Sequence, residues 1–252
     1  MKYYHFGEPT APVILLLPGT CCHWKLNFNQ VIPLLEKDFH IVCVSYDGFD
    51  ETESAIFPDM LTETSEIENY VQKKFDGRIH AAYGCSLGGS FVGLLVQREN
   101  IHIDHAILGS SDLDQAPPWK AKLKCTIAVP LLHKIVSTGQ YPKVLRGLME
   151  KKRTPYRDKF MEMFTIGKGG LPFIKKESVF HQFYSDLVTP LNINISVKDT
   201  VVHCFYSKKM GEKYLNRYKK HFRDPVIHTF DMEHAELLVL HPQLWAKEIK
   251  EI

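Results

Sequence analysis

Gly84-Cys85-Ser86-Leu87-Gly88 sets one hydroxyl between two glycines, each two residues away. The segment follows the short apolar run Ile79 to Tyr83 and opens onto a helix-length stretch, Leu87 to Gln97. A Gly-x-Ser-x-Gly turn between strand and helix is a nucleophile elbow. It is tight enough to exclude bulky side chains two residues away, and the strained serine pushes its Oγ out at the carboxyl edge of the sheet. The helix that follows aims its N-terminal amides and positive dipole end at the same point. A serine hydroxyl is a weak nucleophile until a base takes its proton, so a histidine must reach it. Of the 13 histidines, His234 stands in Asp231-Met-Glu-His234, on the loop that follows the last predicted strand, Val226 to Phe230. Two rivals remain. His241 falls within the predicted final helix beside Pro242, and His23 lies close to the loop after the first predicted strand.

Such groups need a rigid scaffold. Pro12 to Leu17 is a continuous apolar run closed by Pro18-Gly19, as expected of a strand buried on both faces. Phe28 to Leu35 has helical spacing, Phe39 to Tyr46 reads as a strand, and Ile67, Tyr70, Val71 and Phe75 form a helical stripe within Met60 to Phe75. The elbow strand and its helix follow, then the strand Ile103 to Leu108. This alternation predicts an α/β fold with a mostly parallel central sheet flanked by helices. After Ser111 the pattern breaks, and Leu113 to Leu191 reads as helices and loops. A strand (Val201 to Tyr206), a helix (Gly211 to Phe222), the strand Val226 to Phe230 and a helix over Ala235 to Ile252 close the fold. The expected organisation is a core over 1–112 and 196–252, with a helical lid inserted at 113–195.

At 252 residues the chain suits one α/β domain with an insertion, and 44% hydrophobic with 24% charged residues is ordinary for a globular protein. A net charge of +2 gives no overall field that argues for nucleic acid or membrane, and no basic stripe with stacking aromatics suggests nucleic acid. The longest apolar run, Val13 to Leu17, is far too short to span a bilayer, so stable membrane insertion is not expected. The start carries no apolar core of signal-peptide length, which makes the cytoplasm the expected compartment. The six cysteines, Cys21, Cys22, Cys43, Cys85, Cys125 and Cys204, have no zinc-like or redox spacing and are expected as reduced thiols.

The elbow, Leu17-Pro18-Gly19-Thr20, Tyr46-Asp-Gly-Phe-Asp-Glu-Thr-Glu-Ser54, the helical insertion and His234 together make the chain resemble the α/β-hydrolase superfamily from about Pro12 to the C-terminus. Tyr46 to Ser54 is similar to the family's Asp-x-x-Gly-x-Gly-x-Ser turn but lacks its arginine and second glycine. The resemblance implies a serine hydrolase with a capped pocket. Its oxyanion hole would use the backbone N–H of Leu87, directly after the nucleophile, and that of Thr20, favoured over Cys21. The family's usual place for the triad acid falls here on Met210, which has no carboxylate. Glu212 lies two residues on. Some members carry the acid after the preceding strand, where this chain has Leu108-Gly-Ser-Ser-Asp112-Leu-Asp114. Asp112 is the first choice, with Glu212 and Asp114 as alternatives. An Asx-type helix cap is the structural role that would also account for Asp112.

From Trp119 to Arg153 the insertion carries Lys120, Lys122, Lys124, Lys134, Lys143, Arg146, Lys151, Lys152 and Arg153 against the single acid Glu150. Ile127, Val129, Leu131, Leu132, Ile135, Val136, Leu145, Leu148 and Met149 are interleaved, followed by Phe160, Met161, Met163, Phe164, Phe173, Phe180, Phe183 and Tyr184. Two accounts fit: a pocket-packing helical lid with solvated lysines, or a basic lid for an anionic acyl substrate or a lipid surface. Gly167 to Gly170 is a loop or a hinge. The expected activity is cleavage of a small or acyl-chain carboxylic ester or thioester through an acyl-enzyme on Ser86, with no metal and no organic cofactor. A lyase or acyltransferase on the same scaffold, or a ligand-binding scaffold without catalysis, is the alternative. Acyl length, leaving group and oligomeric state are left open by the sequence.

Overall fold

The computed structural model describes residues 1–141, 154–162 and 169–252. Its seven strands are β1 (Lys2–Phe6), β2 (Val13–Leu17), β3 (His40–Ser45), β4 (Arg78–Cys85), β5 (His102–Gly109), β6 (Val201–Ser207) and β7 (Val226–Phe230). They form one sheet in the order β1-β3-β2-β4-β5-β6-β7. β2 lies between β3 and β4 in parallel register, with Leu15 opposite both Val42 and Ala82. Ile14 to Leu17 are wholly buried because helices cover both faces of a parallel sheet. One face packs Val42, Ala82, Ala106, Phe91 and Ile67 together; the other packs Ile14, Ile41, Tyr83, Phe205 and Trp245.

The helices of the described residues are α1 (Trp24–Phe28), α2 (Ile32–Leu35), α3 (Met60–Phe75), α4 (Leu87–Arg98), α5 (Pro118–Thr138), α6 (Pro155–Glu162), α7 (Lys176–Val188), α8 (Glu212–His221), α9 (Glu236–Leu240) and α10 (Pro242–Lys250). Asp59 caps α3 by accepting from Leu61 N and Thr62 N, both at 2.9 Å, which ends the preceding loop at a defined residue. Between β5 and β6 the described residues form α5, α6 and α7, and α5 packs against α7.

The structure departs from the sequence reading at three elements. β1 was not expected: it is a half-buried edge strand whose lysine and histidine are exposed, and it alone runs antiparallel, with Tyr4 opposite Cys43. The helix expected over Phe28 to Leu35 is two short helices, α2 opening with a proline in its first turn. The expected final helix breaks at His241, whose φ of −125° and ψ of 55° are non-helical, because Pro242 starts α10 and cannot continue α9. Lys143, Leu145, Arg146, Leu148, Met149, Glu150, Lys151, Lys152, Arg153, Met163, Phe164 and Gly167 lie outside the described residues.

Candidate active site

Ser86 occupies the one-residue joint between β4 and α4 with φ 52° and ψ −112°, a left-handed backbone that a non-glycine residue holds only under constraint. The constraint is visible on both sides. Ser86 N donates to Gly109 O at 2.8 Å, and Gly89 N donates to Ser86 O at 2.9 Å. A Cβ on Gly84 would overlap the Gly88 carbonyl, and one on Gly88 would overlap the Leu17 carbonyl, so both elbow glycines are required by close backbone approach. From Ala81 to Val96 every residue is buried except Ser86. Its hydroxyl caps no helix amide, which leaves Oγ available.

The loop after β2 lies across from it. Gly19 N donates to Asn27 Oδ1 at 2.7 Å, Cys21 N to Gln182 Oε1 at 2.8 Å and Cys22 N to Gly19 O at 3.1 Å. Among the described residues Thr20 N, between the held amides of Gly19 and Cys21, has no acceptor. Leu87 N, at the first position of α4, has no carbonyl of its own helix to reach. Cys21 is left-handed at φ 56°, so its bond to Gln182 holds an otherwise costly conformation. Asn27 and Gln182 were not singled out by the sequence. Asn27 is a polar residue between the apolar Leu26 and Phe28, a weak signal; Gln182 carries none, because it meets the loop across 161 positions of chain.

Thr20, Ser86 and His234 open on one cavity of about 440 Å³, otherwise lined by Gly19, Cys21, Cys22, Cys85, Ala128, Leu131, Leu132, Phe160, Phe183 and Ala235. Its walls are almost wholly apolar, as in sites that bury most of a small ligand. His234 sits on the loop after β7; Tyr156 Oη donates to its carbonyl at 2.7 Å, and Phe160 meets its ring edge-on. Burial pushes the His234 pKa down, while the negative charge of Asp112 acts in the opposite sense. The ring is therefore neutral near pH 7, the form that accepts a proton. The neighbouring thiols are not rival nucleophiles: burial raises Cys21 and Cys85 far above the usual thiol range and Cys22 to about 12.

Asp112 is on the loop after β5, with its carbonyl held by Arg217 Nη1 at 2.5 Å and the preceding Ser111 carbonyl by Tyr218 Oη at 2.5 Å. It caps no helix: α5 begins after Pro117, with no side-chain cap. The alternatives stand elsewhere. Asp114 is bound by Arg217 at 2.5 Å, with Lys124 at 3.7 Å. Glu212 is exposed on the first turn of α8. His23 is fully buried, accepts from Lys25 N at 3.2 Å as the cap of α1, and contacts Glu51 at 2.5 Å. His241 lies at the α9–α10 break, 3.9 Å from Glu236. Among the described residues one group, His23, Asp50 and Glu51, brings three possible metal-ligand atoms within 4.8 Å. Asp50 is already bonded to Tyr4 Oη at 2.7 Å and Thr52 Oγ1 at 2.5 Å, and none of the three lines the cavity.

Residues 12–126 match the family model described as alpha/beta hydrolase fold. An α/β hydrolase family protein from Desulfitobacterium hafniense superposes with a TM-score of 0.81 at 17% identity, covering 99% of both chains. A lipase-esterase related protein from Clostridium acetobutylicum gives 0.71 at 19% identity, over 99% of this chain and 98% of that one. A stretch of 76 residues is 36% identical to 1H-3-hydroxy-4-oxoquinoline 2,4-dioxygenase of Pseudomonas putida, covering 29% of this chain and 28% of that protein. The chain thus matches less than a third of that relative's length.

Proposed function

We propose that this chain, whose fold is that of the α/β hydrolases and whose residues 12–126 match their family model, is a serine hydrolase cleaving a carboxylic ester or thioester with an apolar acyl group. Ser86 Oγ attacks the carbonyl carbon as His234 takes its proton. Thr20 N and Leu87 N donate to the oxyanion. His234 then returns the proton to the leaving alcohol or thiol, and water, activated by the same ring, releases the acid. Asp112 holds a negative charge toward His234 and stabilises the imidazolium of each transition state. Within the insertion at 113–195, helices α5, α6 and α7 act as a lid whose Leu131, Leu132, Phe160 and Phe183 keep water from the reacting centre.

The observation that carries this reading is the convergence on one apolar cavity of a strained, half-buried serine, a neutral histidine and a free amide. The test is intact-mass labelling by a fluorophosphonate together with turnover of p-nitrophenyl esters of increasing acyl length. A single adduct on the wild type and none on Ser86→Ala, with turnover lost in that variant, supports the acyl-enzyme. Absence of any adduct turns the assignment toward a ligand-binding scaffold. An adduct without hydrolysis turns it toward a lyase or acyltransferase.

The 36% identity to a dioxygenase over 76 residues favours a second reading. In it His234 takes a proton from the hydroxyl of a flat hydroxy-oxoquinoline bound in the apolar cavity, which then reacts with dioxygen. Oxygen uptake with 3-hydroxy-4-oxoquinoline that survives Ser86→Ala but not His234→Ala would replace the ester reading.

A further inference from the structure

The face that α5 turns to solvent is apolar where a surface helix is ordinarily polar. Trp119 and Ile127 are each 71% exposed, Leu123 is 55% and Leu131 is 42% exposed. The four are spaced by four residues, so they form one stripe along a helix face, about 18 Å long at 1.5 Å rise per residue. The opposite face is also apolar, with Ala121, Cys125, Val129 and Val136 buried. The exposed stripe is thus additional to the core-facing one.

Lys120, Lys122, Lys124 and Lys134 are exposed along the same helix, which has no aspartate or glutamate. Lys120 and Lys124 flank the stripe on one side and Lys122 on the other, since each residue turns the helix by about 100°. Lys124 has a partial partner in Asp114 at 3.7 Å, and Asp114 is taken by Arg217 at 2.5 Å. A tryptophan-bearing apolar stripe edged with lysines matches the headgroup boundary of an anionic bilayer. A second copy of the chain fits poorly: a two-fold contact through this face would set the lysines against their own copies with no acid on the helix to pair them.

We propose that α5 docks this protein on anionic lipid surfaces, lying in the plane of the interface with Trp119, Leu123 and Ile127 buried at the headgroup level. The contact is peripheral: among the described residues no helix is long and apolar enough to cross a membrane. Leu131, the last residue of the stripe, also lines the Ser86 cavity, so the docked face leads to the cavity mouth. Where this touches substrate entry it rests on the proposed hydrolase reading; the docking itself does not.

The test is co-sedimentation of the full chain with phosphatidylcholine vesicles, with and without phosphatidylglycerol in equal part, using no turnover readout. Binding is expected to the anionic vesicles, to fall with added salt, and to weaken about fivefold for each of Lys120→Gln and Lys122→Gln. Trp24 and Trp245 are buried, so a blue shift of tryptophan emission on vesicle addition reports Trp119. Ile127→Glu, with circular dichroism and Tm unchanged, is expected to abolish both signals. Failure to bind anionic vesicles, or equal binding to neutral ones, overturns the proposal. So does concentration-dependent dimerisation lost in Ile127→Glu, which assigns the face to a second copy. Absence of ester turnover in the separate p-nitrophenyl ester assay, with vesicle binding intact, would instead fault the hydrolase reading alone.

Discussion

Cys21 N donates to Gln182 Oε1 at 2.8 Å, joining the loop after β2 to helix α7 across 161 positions of chain. Asn27 Oδ1 accepts from Gly19 N at 2.7 Å on the other side of Thr20. Two carboxamides thus occupy the amides flanking the one proposed to hold the oxyanion. They act as positioning groups, because each fixes the loop without facing the cavity. The bond to Gln182 also means that the insertion contributes to the geometry of the loop.

Gln182→Met keeps the volume but removes the acceptor, and frees Cys21 N to leave its left-handed conformation. A displacement of Thr20 N is expected to cut kcat by about ten- to a hundredfold, with KM little changed. Gln182→Glu retains an acceptor oxygen and is expected to recover most of the loss. Steady-state kinetics on both variants checks this; equal loss in kcat and KM, or no rescue, would point to general disorder of the site.

Asp112→Asn should lower kcat on the order of a thousandfold or more, as for loss of an orienting acid in a serine triad. Glu212→Gln, at an exposed position on α8, is expected to stay within about twofold of wild type and within about 0.5 kcal/mol in stability. Asp114→Asn removes the Arg217 pairing at 2.5 Å. Arg217 also holds the Asp112 carbonyl at 2.5 Å, so a modest activity loss is expected through that arginine. If Glu212→Gln were the damaging change, the acid assignment would move to α8.

Burial, the larger influence, lowers the His234 pKa below its ordinary 6.5, and the charge on Asp112 offsets part of that. The neutral ring is the active form, so kcat/KM should fall as pH drops through the folded-state pKa, with an acid-limb midpoint below 6.5. In Asp112→Asn the opposing charge is gone, and the midpoint should move lower still. The same lowering links to stability. A histidine with a depressed folded pKa contributes fully above its unfolded value, and that contribution declines as pH falls toward the folded one. A pH–rate profile of wild type and Asp112→Asn, with Tm measured alongside, separates the two effects.

The places of Ser86, Leu87 and His234 in the fold were legible because a strand-to-helix turn and the loop after a last strand can be located from local pattern. The sheet was legible for a related reason: runs such as Ile14 to Leu17 are apolar on both faces because both faces are covered. β1 escaped notice because an edge strand is only half buried, and its lysine and histidine blur the pattern. Residues that act through tertiary contact left no such trace. Gln182 is one polar residue in a helix, and only the folded chain brings it to Cys21. The surroundings that distinguish Asp112, Asp114 and Glu212 were likewise hidden, since their spacing in the chain is compatible with all three as the proposed acid.

The left-handed backbone at Ser86 predicts an opposition between stability and activity. At φ 52° a serine pays for a Cβ that glycine lacks, and such positions cost roughly 1–3 kcal/mol. Ser86→Gly removes the penalty along with the nucleophile. Glycine gains backbone freedom in the unfolded chain, which returns part of the benefit, on the order of 0.5–1 kcal/mol. The expected net result is a protein no less stable than wild type, and more stable by up to about 2 kcal/mol, with no fluorophosphonate adduct. Ser86→Ala keeps the Cβ and should stay near wild-type stability while equally unlabelled. Urea denaturation of the three proteins provides the measurement. A Ser86→Gly protein weaker than Ser86→Ala would mean that the elbow stores little strain at this residue.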